Sequence, residues 1–346
     1  MAITIGMYIN QGAHVSGHTT DVEGFEGIER VILTGSDEAR SIADRIDKAE
    51  YAEDAWDALV GDDSVPLLMV LTNNRDAGRM NLQAVEAGKY VYGEKPGART
   101  AGEMAQIVQA AQRTGGHFTP CYARRTFPET LEIKRLIEAG AIGELWSFQA
   151  AWITSTAQLR GVGSWMFDAD LAGGGILYWL ACHWVDLMRF VTGRRAIAVS
   201  AMVSTCNPHI SVEDVACLNL RLEGGAIGTL RAGYLIDPSD GYSDNDLMTS
   251  YQGSMGSIEH LPSRPGRVRL RTRAEGFWSL GEVREISMTR TERGYAPLLL
   301  RDVVDAAVTR RAPLVTEQDA LYVLRVFEAA YESARTGSEV EVNSRE

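Results

Sequence analysis

The first third of the chain alternates short apolar runs with helical stretches, and this order limits the fold more than any other feature. Runs at 3–9, 30–34, 66–72, 89–93 and 117–122 are rich in Val, Ile, Leu and Tyr. Strands buried on both faces read this way, because a parallel sheet carries helices on each side. Between them, 38–46, 53–60, 75–88 and 101–113 show helical patterns, the last opened by a Thr100/Glu103 capping box. Strand and helix in strict succession imply right-handed crossovers. The expectation is an α/β fold, with a Rossmann-type doubly wound parallel sheet over residues 1–122 as a dinucleotide-binding domain.

After about Tyr122 the pattern changes. Pro128 opens a helix that ends at Gly140, a strand covers 144–154, and a long apolar helix runs from about 174 to 192. From 195 to 289 the chain is almost all strand. Cys217, Asn219 and Arg221 alternate with Leu218, Leu220 and Leu222, and Gly224-Gly225 turns the chain into 226–236. Alternation of this kind gives a sheet with one dry face and one polar face. Helices at 298–310 and 317–335, the second capped by Thr316, close the chain. Residues 123–346 are therefore expected to form an α+β domain for substrate binding and oligomerisation, built on a large open, mainly antiparallel sheet. An uncovered sheet face is an association surface, so a homodimer or homotetramer through this sheet is expected.

Composition narrows the function. A net charge of −12 over 346 residues repels polyphosphate, which argues against nucleic acid as a partner. Cys121, Cys182, Cys206 and Cys217 have no zinc-site spacing, and His14 and His18 have no third ligand in view, so no metal is expected. No run approaches 18 apolar residues, and the first residues enter a strand with no basic leader. A cytoplasmic protein with a small-molecule substrate and no membrane partner is the expectation.

In a doubly wound domain the first strand-to-helix turn holds a pyrophosphate. Here that turn is Asn10-Gln11-Gly12-Ala13-His14-Val15, which keeps only the middle glycine of a GxGxxG pattern. The residues after it, with Gly17, Thr19, Thr20 and Gly24, are poor helix formers. At the end of the second strand Thr34-Gly35-Ser36 replaces the acid that binds the ribose of NAD, a slight lean to NADP, although only Arg40 is at hand for a 2′-phosphate. Lys95 follows Gly93-Glu94 and precedes Pro96, which places an ammonium at the carboxyl edge of a parallel sheet. Pairing with Glu94 is the plainer reading of the same lysine.

Glu94-Lys95-Pro96, with Ala87-Gly88-Lys89-Tyr90-Val91 and Thr72-Asn73-Asn74 before it, resembles the Gfo/Idh/MocA oxidoreductases. Tyr122-Ala123-Arg124-Arg125, the stretch from Trp165 to Gly175, and Leu314-Val315-Thr316 extend the resemblance over nearly the whole length. It implies an NAD(P)-dependent dehydrogenase acting on a sugar, cyclitol or related ring alcohol, with Lys95 and His183 catalytic. It also implies cofactor contacts from Asn10, Gln11, Gly12, Ser36, Thr72, Asn73, Glu94 and Lys95. Substrate contacts would come from Lys95, Tyr122, Arg124, Trp165, Trp179 and His183, with the substrate against the open sheet face. Three positions depart from the family pattern: the glycine turn, the ribose acid, and Trp179, which stands four residues before His183 where the family has Asp. Asp186 is the nearest carboxylate that could substitute. The departures keep open a redox-neutral or cofactor-independent lyase, hydrolase or decarboxylase, with the cofactor lost, on the same fold.

Overall fold

The computed structural model describes residues 2–237, 245–261, 267–277, 283–287 and 296–342. The chain forms two compact units. The first comprises Met1–Ala123, Asp170–Gly173 and Glu292–Tyr322, and the second Arg124–Ala169, Gly174–Thr291 and Val323–Glu346. The closing segments thus return to the first unit before the chain ends in the second.

Six strands make the sheet of the first unit: β1 (Ile3–Ile9), β2 (Ile28–Gly35), β3 (Ala49–Tyr51), β4 (Leu67–Leu71), β5 (Tyr90–Gly93) and β6 (His117–Pro120). All pair in parallel in the order β3-β2-β1-β4-β5-β6. Order reverses between β1 and β4, which opens a crevice at the carboxyl ends of those strands. Every residue of β4 and β5 is buried, as the apolar runs required. Helices α1 (Val15–Glu23), α2 (Asp37–Ala43), α3 (Trp56–Gly61), α4 (Asn74–Glu86) and α5 (Ala101–Thr114) fill the connections. The Thr100 hydroxyl accepts from the Glu103 amide at 3.0 Å, the expected cap.

Two elements differ from expectation. The poor helix former after the first turn is a helix, α1, which buries Val15, His18, Thr19 and Val22. Packing overrides weak propensity there, and the Thr19 and Thr20 hydroxyls donate back to the Val15 and Ser16 carbonyls. β3, three residues long and paired only with β2, is too short to show a period.

The second unit holds a nine-stranded sheet of β7 (Leu145–Ser155), β8 (Ala196–Ser204), β9 (Val215–Leu222), β10 (Ile227–Ile236), β11 (Asn245–Gly253), β12 (Gly256–His260), β13 (Arg267–Thr272), β14 (Val283–Ser287) and β15 (Val340–Glu341). Their order is β14-β13-β12-β11-β7-β10-β9-β8-β15, antiparallel except between β7 and β10. Residues 238–244, 262–266, 278–282 and 288–289 of the expected strand region lie outside the described residues. Leu218, Leu220 and Leu222 are buried while Cys217, Asn219 and Arg221 are exposed, so the dry and wet faces fall as the alternation dictated. Among the described residues no helix is long and apolar enough to cross a membrane.

The long apolar helix is not one regular helix. Leu177–Ala181 is a π-helical turn, and a regular α-helix continues over Cys182–Thr192. Its start is anchored by the buried Glu213, whose carboxylate accepts from the amides of Gly175 at 2.8 Å and Leu177 at 3.0 Å. Burial pushes the Glu213 carboxyl up against the pull of those donors. A Cβ on Gly175 would lie 2.0 Å from the Glu213 carbonyl oxygen, so a glycine is required. Gly175→Ala is expected to cost about 2–3 kcal/mol through overpacking. Gly163→Ala, where a Cβ meets nothing within 4 Å, should stay near wild type in the same denaturant titrations.

Candidate active site

In the first unit the turn Asn10–His14 leaves β1 at the switch point. The Asn10 amide donates to Leu71 O at 3.0 Å, and a Cβ on Gly12 would meet the same carbonyl at 2.7 Å. The surviving glycine therefore lets the turn pack on the end of β4. Gln11 and His14, which are not glycine positions of the pattern, hold left-handed backbones, with φ of 56° and 51°. Such conformations cost about 1 kcal/mol each in residues with a Cβ, and persist where the surroundings fix them.

Beside the turn lies Glu94. Its Oε1 lies 2.9 Å from His14 Nδ1 and 2.8 Å from His18 Nε2, and its Oε2 lies 3.8 Å from Lys95 Nζ. Lys95 and the His18 side chain have no solvent exposure, while the His14 side chain keeps 35%. Burial alone would raise the Glu94 carboxyl. The surrounding His14, His18 and Lys95 outweigh it and hold the group well below the usual carboxylate range. Below this cluster the Tyr92 hydroxyl lies 3.1 Å from Cys121 Sγ, and burial pushes both groups up.

A cavity of about 450 Å³ opens beside the turn, lined by Tyr8, Asn10, Ser36, Asp54, Asp57 and Arg79 among others. The Ser36 hydroxyl donates to Ile9 O at 3.0 Å. Arg40 lies over the Tyr51 ring at 4.2 Å and 3.7 Å from Glu53. Asn73 spends its side chain on capping α4, accepting from the Asp76 amide at 3.0 Å and donating to the Asp76 carboxylate at 2.8 Å. The Thr72 hydroxyl, at the end of β4, is buried without a hydrogen-bond partner among the described residues. Tyr122 is fully buried after β6.

In the second unit Trp152, on the buried face of β7, stacks on His183 with ring centroids 5.6 Å apart and planes at 27°. Arg124 lies over Trp152 at 4.3 Å and over Trp184 at 5.1 Å. Trp165 and Trp179 meet edge to face at 6.0 Å, and both are buried. The substrate-side candidates Arg124, Trp165, Trp179 and His183 thus share this unit, while Lys95 and Tyr122 belong to the first. His183 and its neighbours sit on the face that carries the helix, because the large aromatic residues follow the buried parity of β7.

Sequence reasoning missed two partners. Trp152 gave no sign of its contact with a histidine 31 positions away. Asp186 gives both oxygens to the Arg125 guanidinium, with Nε at 2.9 Å and 3.1 Å, a buried ion pair between distant segments. Only the adjacency of Arg124 and Arg125 hinted at paired cation sites. No three His, Cys, Asp or Glu side chains gather as for a metal ion among the described residues.

Two family models match the chain: the oxidoreductase family NAD-binding Rossmann fold over residues 5–122, and the GFO/IDH/MocA C-terminal domain over 130–259. The chain belongs to the Gfo/Idh/MocA oxidoreductase family. It is 30% identical over 248 residues to levoglucosan dehydrogenase of Pseudarthrobacter phenanthrenivorans, covering 69% of this chain and 60% of that enzyme. It is 25% identical over 309 residues to scyllo-inositol 2-dehydrogenase (NAD(+)) of Bacillus subtilis, covering 88% and 85%. A solved structure of levoglucosan dehydrogenase in complex with NADH superposes with a TM-score of 0.89 at 22% identity, covering all of both chains.

The Glu94 cluster carries a pH dependence. Its folded carboxyl lies below its unfolded value of about 4.5, so between the two the unfolded chain binds more protons. Stability from Glu94 is therefore present above about pH 4.5 and is lost as pH falls through the folded value. Denaturant melts of Glu94→Gln between about pH 6 and 3.5 should show a shallower acid loss than wild type; equal slopes would contradict this account.

Proposed function

We propose that this chain is an NAD(H)-dependent dehydrogenase that oxidises a hydroxyl of a sugar, cyclitol or related ring alcohol. One observation carries the reading: a lysine without solvent exposure follows a parallel strand and is held beside a buried carboxylate, in a family of oxidoreductases. The dinucleotide fits the first unit. The cavity beside the Asn10–His14 turn takes the adenosine half, and the unpartnered Thr72 hydroxyl is a buried polar group suited to a ligand. Asn10, Gln11, Gly12, Ser36, Thr72 and Asn73 would border it. Bound there, the nicotinamide would supply the hydride acceptor.

Charge supports NAD over NADP. Asp54 and Asp57 line the cavity, Arg79 is the cation among its lining residues, and Arg40 is drawn to Tyr51 and Glu53. A 2′-phosphate would meet more acid than base, which removes the lean drawn from Gly35-Ser36.

His183 is the base that takes the proton of a substrate hydroxyl, and Lys95 is the cation that steadies the developing negative charge. Stacking on Trp152 fixes the imidazole plane. Arg124, Tyr122, Trp165 and Trp179 contact the ring of the substrate, and the family's sugar and inositol dehydrogenases agree with that class. The exposed Met202 and Ile227, on the open face of the second unit's sheet, support its burial against a second copy. Position 179 favours a second reading, a redox-neutral lyase or hydrolase reaction on the same fold, because an indole there supplies no carboxylate.

NADH is expected to bind at micromolar strength in calorimetry, with NADPH at least tenfold weaker. Lys95→Ala and His183→Ala should each lower kcat at least a hundredfold over a panel of cyclic polyols while retaining the wild-type circular dichroism. Wild-type turnover in either variant would overturn the roles. Product formed without change in nicotinamide absorbance would select the second reading.

A further inference from the structure

The cofactor turn holds left-handed backbones at two residues that carry a Cβ, Gln11 and His14. The His14 imidazole reaches across from the turn to the carboxylate beside Lys95, at 2.9 Å, while His18 on α1 meets the same oxygen at 2.8 Å. We propose that His14 and Glu94 are positioning residues that clamp the cofactor turn to the end of β5 and so order it for NAD(H).

Three observations converge on this. The Asn10 amide, on Leu71 O at 3.0 Å, anchors the start of the turn on the sheet. His14 has no side-chain bond capping α1 and directs its ring to Glu94 instead. Glu94 is buried, so its charge is available to a contact that water screens little. The charged and titratable groups around that carboxylate are His14 and His18 from the turn and α1, Tyr92 and Lys95 from β5 and its end, and Cys121 after β6, with Asp21 of α1 acting on Tyr92. One carboxylate thus fastens the turn and neighbours the lysine, so cofactor binding and the placement of Lys95 are mechanically coupled.

This inference rests on NAD(H) binding at the turn, and its test reads the two separately. Amide hydrogen exchange of residues 10–15 is measured in the cofactor-free protein, and NADH affinity by calorimetry, for wild type, His14→Leu, His14→Gly, Glu94→Gln and the His14→Leu/Glu94→Gln pair. Exchange in the turn should rise at least tenfold in His14→Leu and Glu94→Gln, with no further rise in the double variant. His14→Gly relieves the backbone but removes the imidazole, so its exchange should also rise; wild-type protection in it would mean that strain and not the clamp governs the turn, and overturns the proposal. NADH affinity should fall about tenfold in each single variant, without additivity. Unchanged exchange in His14→Leu overturns the clamp whatever the cofactor does. Failure of the wild type to bind NADH overturns the proposed function instead. His14 is partly exposed, so its variants carry the test even where Glu94→Gln fails to fold.

Discussion

A buried carboxylate must be paired, and Glu94 shows how much structure one such requirement can organise. Left alone in the interior, the charge would be expelled or protonated. Held by two imidazoles and an ammonium, it ties α1, the first turn and the end of β5 to one point. The second unit repeats the logic twice. Glu213 holds the amides that begin the π-helical turn, and Asp186 holds Arg125 beside Arg124. Breaking a buried pair by removing one partner costs about 3–5 kcal/mol, several times the worth of an exposed pair. These buried carboxylates are therefore held by interactions that the rest of each unit is built to keep dry.

The sheets were legible from the amino-acid order because apolar periodicity is local. β4 and β5 are unbroken apolar runs, and β9 alternates residue by residue, so their faces follow without knowledge of any partner. α1 was not legible, since Gly17, Thr19 and Thr20 speak against a helix. What outweighs them is burial of Val15, His18 and Val22 and the contact of His18 with a residue 76 positions away. The π-helical turn was hidden for the same reason, because its anchor comes from Glu213, 36 and 38 residues along the chain.

The site was half legible. Lys95 and His183 are found by motif, and the structure gives each a defined setting. Trp152, which stacks on His183, shares parity with Phe148 and Ala150, which are buried. Parity along β7 carried that information; what was lacking was the partner across the layer.

Position 179 shows why a missing acid need not be an isolated change. Trp179 is buried and meets Trp165 edge to face, and Trp152 with Trp184 receives the Arg124 cation nearby in the same unit. A carboxylate at 179 would forfeit the area of a large indole, which is worth about 2–3 kcal/mol, and the edge-to-face contact besides. The indole is thus part of an aromatic layer, and orientation of His183 passes to a flat face, that of Trp152, which fixes the ring plane without adding charge. Stacking sets the plane and hydrogen bonding sets the tautomer. The indole at 179 therefore belongs to the aromatic layer, while Trp152 sets the plane of the His183 ring.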